Sequence, residues 1–582
     1  MRVVVGLFAG LALGCGESSS GGAGGPAGAA SDAGPLASAT PPAWTTAPAG
    51  EILASLPAHA QATTTNFASH DICAQCHSAG DGKLRDAKGR DVSAVGTWKA
   101  SAMALAVRDP YYLAAFADEL AFRPGLNLTV ERTCTRCHAP EASGQLELEG
   151  QPVGPSFAML TTETTPMATL AREGVACSGC HQITEAGLGS MVSFTGGYVM
   201  GEERRIFGPY EDPRGDFMKT VAAFTPTYGA HIQKSALCAT CHTVITKPRD
   251  AKGNTGPDFP EQVPYFEWRA SSYVREPGRV GEKAADCQDC HMPAADEDGV
   301  ELSVNAAKAP ADLPLRKPFW RHGFAGANVM LSRFGAADPA WFGANVTKEE
   351  HEAQARSIEG TLRAAAKLTV GAVTRSGATL EIPVEVTNTS GHKFPTGYPS
   401  RRAFLHVKIT SGTTTVFESG RVDAFGRLVV ASPDGDRVVE PAISFPHLDV
   451  VDRPELVQIY ESVPVTTKGA LAHRPLDAAK YAKDNRLLPA GFDRKNSYAA
   501  YTASVGVDSD PGWGTSDVVH YRVGGVPAGA TIEVELLFQT ARPSDIEALA
   551  PKPTPAARRL FELVKAAPLT PVVVATARAV AP

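Results

Sequence analysis

Outside one recurring pattern, this chain of 582 residues has almost no cysteine to spare. Of its eleven cysteines, ten fall in five C-x-x-C pairs and only Cys15 stands alone, so a disulfide-stapled scaffold is excluded. Charge of one sign is lacking too. The 55 Lys and Arg against 62 Asp and Glu leave a net charge of -7, with no basic field to hold a nucleic acid. Long apolar runs are missing: the N-terminal one, from Val3 to Leu13, is too short to cross a bilayer as a mature helix.

What is present is a pattern written five times. Cys73-Ala-Gln-Cys76-His77 returns as Cys134-Thr-Arg-Cys137-His138, Cys177-Ser-Gly-Cys180-His181, Cys238-Ala-Thr-Cys241-His242 and Cys287-Gln-Asp-Cys290-His291. C-x-x-C-H is the attachment pattern of c-type haem. Two intervening residues let both thiols reach one porphyrin edge as thioethers, and the next side chain turns back toward the iron. A bare C-x-x-C would equally suit a zinc half-site or a redox dithiol. All five pairs, however, are followed at once by His, in a chain with 15 His in all. The pattern therefore predicts five covalent haem c groups, with His77, His138, His181, His242 and His291 as proximal ligands. Such ligation takes place outside the reducing cytosol, which points to export.

The N-terminus agrees with export. Met1-Arg2 leads the apolar run, which ends in Ala12-Leu13-Gly14-Cys15 and resembles the bacterial lipobox, with Ala12 where Leu is usual. The resemblance implies a signal peptide over 1–14, lipidation of Cys15, and a stable membrane anchor built on several acyl chains. Gly16, rather than Asp, follows the cysteine, so the expected destination is the outer membrane, facing the periplasm or the cell surface. Residues 15–55 are mostly Gly, Ala, Ser and Pro and read as a disordered tether.

The rest divides by period. Over 56–364 the motif intervals are 61, 43, 61 and 49 residues, too irregular for a solenoid. The best helical stretch, Ser93 to Phe122, is broken at Asp109-Pro110. Gly and Pro are frequent, helices should be short, and the porphyrins themselves should fill the interior. Over 365–582 the period becomes two. Leu380, Ile382, Val384 and Val386 alternate with polar neighbours, as do Ala403 to Ile409 and Ile532 to Phe538. The expected fold class is α+β in two parts: a haem-packed, mostly helical and irregular domain, then an antiparallel β-sandwich with one helix near Ala556 to Ala567.

Each iron has a second axial position. His231, seven residues before Cys238, is better aimed at a neighbouring haem than at its own. His70, three before Cys73, is similarly placed, with His59 its competitor. His322 sits among aromatics in Trp320-Arg-His-Gly-Phe. His392, in the loop closing the first clear strand, would lock the β-half onto a haem. His406 reads as structural, His351 as a solvated helix face, and His447, His473 and His520 have no supporting context.

Beyond the motifs, the chain carries Arg108-Asp-Pro-Tyr111, Gly174-Val-Ala-Cys177, Glu267-Trp268, Gly391-His-Lys-Phe-Pro-Thr-Gly-Tyr-Pro-Ser-Arg-Arg402 and Asp484-Asn-Arg-Leu-Leu-Pro. With these it resembles an outer-membrane or periplasmic cytochrome c family of proteobacteria. More distantly, it resembles the multihaem cytochromes related to the tetrahaem cytochromes of ammonia oxidisers and to hydroxylamine oxidoreductase. In the latter a W-x-x-S-x-H segment supplies a distal His. Here Trp98-Lys-Ala-Ser-Ala-Met103 holds Met in that place, which makes Met103 a candidate axial group.

The resemblance implies electron transfer with other redox proteins as partners. The competing reading is an oxidoreductase acting on a small nitrogen or sulfur compound at one five-coordinate haem. Related nitrite and tetrathionate reductases mark that haem with Lys in place of the motif His, and none of the five motifs does so. A third reading makes the β-half a binding module for a partner.

Overall fold

The computed structural model describes residues 40–80, 82–441 and 443–582. The expected signal peptide, Cys15 and the first part of the tether lie outside these residues. The helices that position the site are, in chain order, α1 (His70–His77), α2 (Pro110–Phe122), α3 (Asn127–His138), α4 (Cys177–His181), α5 (Ser235–His242), α6 (Pro264–Arg269), α7 (Cys287–His291), α8 (Lys348–Ala365) and α9 (Pro555–Ala566).

In all five motif helices the His is the last helical residue. That placement follows from spacing: positions i, i+3 and i+4 share one face of an α-helix, so both thiols and the imidazole leave on the same side. The helices are short because Gly and Pro recur between them. The stretch from Ser93 divides into a short helix at Ala94–Trp98, a run of turns, and α2. Asp109 caps α2 by accepting from the Tyr111 N–H at 2.8 Å, with Pro110 in the first helical position.

The strands build two facing sheets. They are β1 (Ala366–Val370), β2 (Thr374–Ser376), β3 (Thr379–Asn388), β4 (Arg402–Ser411), β5 (Thr414–Ser419), β6 (Val450–Val451), β7 (Ile459–Val465), β8 (Lys480–Asp484), β9 (Ser516–Gly524), β10 (Thr531–Gln539) and β11 (Val572–Val580). One sheet runs β2-β3-β9-β6 with β1 also on β3; the other runs β8-β7-β4-β10-β11 with β5 also on β4. Ile382 pairs with Tyr521 in the first, and Leu405 with Leu536 in the second. Their inward residues form one apolar core, in which Leu380, Ile382, Leu405, Val407, Ile532 and Val534 are buried. One pairing departs from the antiparallel expectation: β6 runs parallel to β9.

A second core joins chain segments far apart in sequence. Leu113 and Phe116 of α2 pack with Leu560, Phe561 and Val564 of α9, so the C-terminal helix serves the motif-bearing half and not the sandwich. The tether expectation over 15–55 also meets order from residue 40. Trp44 is 2 % exposed, its ring 5.7 Å from that of Phe425 and 6.3 Å from that of Phe561, and the Leu53 N–H donates to the Pro555 carbonyl. One indole and two leucines give this stretch enough apolar surface to hold it down. His351 is likewise not on a solvated face: it is fully buried against Phe342 and Gly335. Among the described residues no helix is long and apolar enough to cross a membrane.

Candidate haem centres

All ten motif cysteines and all five motif histidines line one connected cavity of about 1380 Å³ with a mainly apolar wall. The imidazoles are held in a common way. Nδ1–H donates to a backbone carbonyl in four of them: His77 to Ala306 (2.9 Å), His138 to Ala106 (2.9 Å), His181 to Phe207 (2.6 Å) and His291 to Ala325 (2.8 Å). This fixes the tautomer and leaves Nε2 for the cavity, the usual preparation of a metal-binding histidine. Burial lowers the pKa of all four, and takes His242 down to about 4 with His291 and Arg401 adding to the effect, so each ring is neutral near pH 7.

His322 and His392 reach the same cavity. His322 faces His181, ring centres 6.2 Å apart and planes at 25°; His392 faces His291 at 6.3 Å and 15°. Two imidazoles on opposite sides of one metal, each with N at about 2 Å, place their ring centres about 6 Å apart. Each partner also has Nδ1–H committed, His322 to the Trp320 carbonyl and His392 to the Lys393 carbonyl, both at 3.0 Å.

The other expected distal groups are placed differently. Met103 lines the cavity, on the turn whose Ala106 carbonyl receives His138. His231 stands outside the lining: its Nε2–H donates to the Ile183 carbonyl at 2.9 Å and its ring lies edge-on to Phe207. His70 also stands outside it, donating from both backbone N–H and Nδ1–H to Glu173 at 2.7 Å. Glu173 receives His59 as well; burial alone would raise its pKa, but the two histidines prevail and bring it to about 2.

These residues fit porphyrins better than zinc. Tetrahedral zinc would draw four ligand atoms to one point. Among the described residues, the clusters with three donor atoms mutually within 4.8 Å contain no cysteine. Thiols meet across motifs instead: Cys73 with Cys177, Cys137 with Cys241, and Cys238 with Cys287. Apolar walls, paired thiols, and neutral rings with Nε2 turned inward are the donor set that haem c requires.

Several cavity residues escaped the sequence reading. Among the described residues no carboxylate lies within ion-pair distance of Arg401, which donates to the Thr396 carbonyl at 2.7 Å; burial lowers its pKa to about 10, against the pull of Asp109. Tyr111 and Tyr398 lie near it, ring centres 6.4 Å apart. Glu119 and Glu261 line the wall with burial raising both to about 7. The available signals were the run from Gly391 to Arg402, which contains Tyr398 and Arg401, and Arg108-Asp-Pro-Tyr111.

That run is bound into the cavity wall by charge. Glu267 of α6 accepts from the Lys393 N–H (3.1 Å) and the Thr396 hydroxyl (2.6 Å), and pairs with Arg486 at 3.1 Å. Arg486 and Lys393 both hold Asp484, at 2.8 and 2.7 Å.

Comparison with known proteins gives no matching family model and no matching curated protein. Among solved structures the chain is similar to a penta-heme cytochrome c552 from Thermochromatium tepidum, with a TM-score of 0.46 and 17 % identity, over 89 % of this chain and 99 % of that one.

Proposed function

We propose that this chain is a multihaem c-type cytochrome that carries electrons through five covalently attached haems. One observation carries the reading: ten thiols and five imidazoles, four of them tautomer-fixed, spread over more than 200 residues, open into a single cavity. Bound there, an iron porphyrin supplies a one-electron couple whose potential is set by axial ligand, burial and hydrogen bonding. The chain's own work is to hold each ring, orient the imidazoles and keep water out. On this reading the haems are ordered as their thiols neighbour one another: the first set beside the third, and the fourth beside both the second and the fifth. Cys180 of the third set also lies near Cys241 of the fourth, which makes the fourth set a branch point. Export, lipidation at Cys15, an outer-membrane location and redox-protein partners belong to the same proposal.

The test is the full chain purified from a host with cytochrome-maturation machinery. We expect a red protein with five irons per chain that keeps its pigment in denaturing electrophoresis. Near-infrared magnetic circular dichroism should count bis-histidine irons, and His322→Ala or His392→Ala should each remove one. A colourless protein of unmodified mass overturns the proposal.

A second reading, an oxidoreductase acting on a small nitrogen or sulfur compound, is favoured at one place. Among the described residues no second imidazole stacks opposite His77, His138 or His242, and of these three His242 is the one with the uncompensated Arg401 near it. A high-spin iron that shifts on adding nitrite or cyanide, and stops doing so in Arg401→Gln, would favour the enzyme; spectra indifferent to both would favour the carrier.

A further inference from the structure

His447 is not among the residues that line the cavity; it lies in the sandwich, and its surroundings do not balance. Gln458 and Asn485 turn their amide N–H groups to its Nδ1, at 2.8 and 3.0 Å. Neither amide is free to flip: the Gln458 oxygen accepts from the Leu448 N–H (2.9 Å) and the Asn485 oxygen from the Glu461 N–H (3.0 Å). Nδ1 must therefore accept, and the ring proton sits on Nε2. That N–H points among three carboxylates, with Asp510 Oδ2 at 3.3 Å, Asp449 Oδ1 at 3.6 Å and Asp517 Oδ1 at 3.8 Å.

One N–H cannot satisfy three carboxylates. Asp517 is fully buried, and among the described residues neither its Oδ1 nor the buried Asp449 Oδ1 has a hydrogen-bond partner. Asp517 Oδ2, by contrast, is taken by the Tyr460 hydroxyl at 2.7 Å. Among the described residues no Lys or Arg pairs with any of the three. Uncompensated carboxylates in such a place are costly. Burial raises Asp517 to about 6 and raises Asp449 also, which is the same cost seen from the proton's side.

The fold brings these groups together on purpose-built backbone. Asp517 is the second residue of β9, and Asp449 immediately precedes β6, the strand that runs parallel to β9. The His520 N–H donates to the Asp449 carbonyl at 2.8 Å and fixes that register. Asp510 spends Oδ1 on the Gly512 N–H at 2.7 Å, which turns Oδ2 inward.

We propose that Asp510 and Asp517 form the core of a calcium site at this edge of the sandwich, with Asp449 at its rim and the His447 Nε2–H steadying the carboxylates from the inner side. Both ring nitrogens are already committed, so no nitrogen lone pair is offered, and the donors left are hard oxygens. Zinc or copper would draw on an imidazole lone pair; calcium takes six to eight oxygens in adaptable geometry, and the part-exposed Asp449 leaves room for water among them.

The test uses the haem-loaded full chain, treated with EGTA and desalted, with unfolding followed by far-UV circular dichroism as CaCl2 is added. We expect a saturable rise in Tm of about 2–4 °C at 100-fold over the dissociation constant, and about one calcium per chain by elemental analysis before chelation. Asp517→Asn and Asp449→Asn should each weaken calcium at least tenfold in titration calorimetry, while Asp508→Asn, an exposed neighbour, should not. If Asp517→Asn fails to fold, Asp449→Asn at the rim carries the comparison. Wild-type unfolding that ignores calcium overturns the proposal, as does a calcium response that survives in Asp449→Asn. A rise with ZnCl2 in place of CaCl2 overturns the hard-oxygen assignment.

Discussion

His406, on β4, has Nδ1 3.1 Å from Glu535 and Nε2 3.2 Å from Glu418. Burial alone would lower its pKa, but bonds from the two carboxylates prevail and raise it from 6.5, while Glu418 is drawn below 4.5 by His406. The signs define a window. The raised His contributes fully below its unfolded value of 6.5 and loses its contribution as pH climbs through the folded value; the depressed Glu contributes above 4.5 and loses its share as pH falls. The difference in unfolding free energy between wild type and His406→Gln, from urea titration, should therefore be largest between these values, about 1 kcal/mol, and should shrink as pH rises through the folded value of His406. At this scale the sequence was informative where chemistry is local. Cys, Cys and His at i, i+3 and i+4 share a helix face whatever surrounds them. His447 and His351 were opaque, because their meaning lies in Asp449, Asp510 and Asp517, or in Gly335 and Phe342, which only the fold assembles.

Among elements, α6 and the loop from Gly391 to Arg402 depend on one carboxylate. Glu267 is fully buried and serves Lys393, Thr396 and Arg486 at once. Replacing it with Gln leaves Arg486 and Lys393 to share the one carboxylate of Asp484, at a cost of about 3 kcal/mol. We expect Glu267→Gln to lower the thermal midpoint and to free His392 from its place opposite His291, read as one fewer bis-histidine iron in near-infrared magnetic circular dichroism. Three fragments that sequence could quote but not connect, Glu267-Trp268, His392-Lys393 and Asp484-Asn-Arg486, prove to be one ion network. The strand pattern was legible because alternation reports burial directly, as the alternating exposure of β3 shows. The seating of α9 was not, since an amphipathic helix reveals that it has a buried face but not what covers it.

For the whole molecule, a cut after residue 364 looks harmless on the change of period and is not. It would strip Leu560, Phe561 and Val564 from Leu113 and Phe116, remove His392 from the cavity, and leave Trp44 without Phe425 or Phe561. Residues 40–364 alone should be recovered as aggregate or as protease-sensitive material lacking stoichiometric haem, measured by limited proteolysis and iron content beside the intact chain.

The meeting of the fourth motif with three others also has a consequence for traffic. On the proposed reading, a line of carriers joined end to end has two termini, but a fork has three. Charge arriving at any arm must pass the Cys238–His242 set before it can leave by another. Disabling that single position would split the relay into separate islands, whereas a fault at the tip of an arm would silence that arm alone.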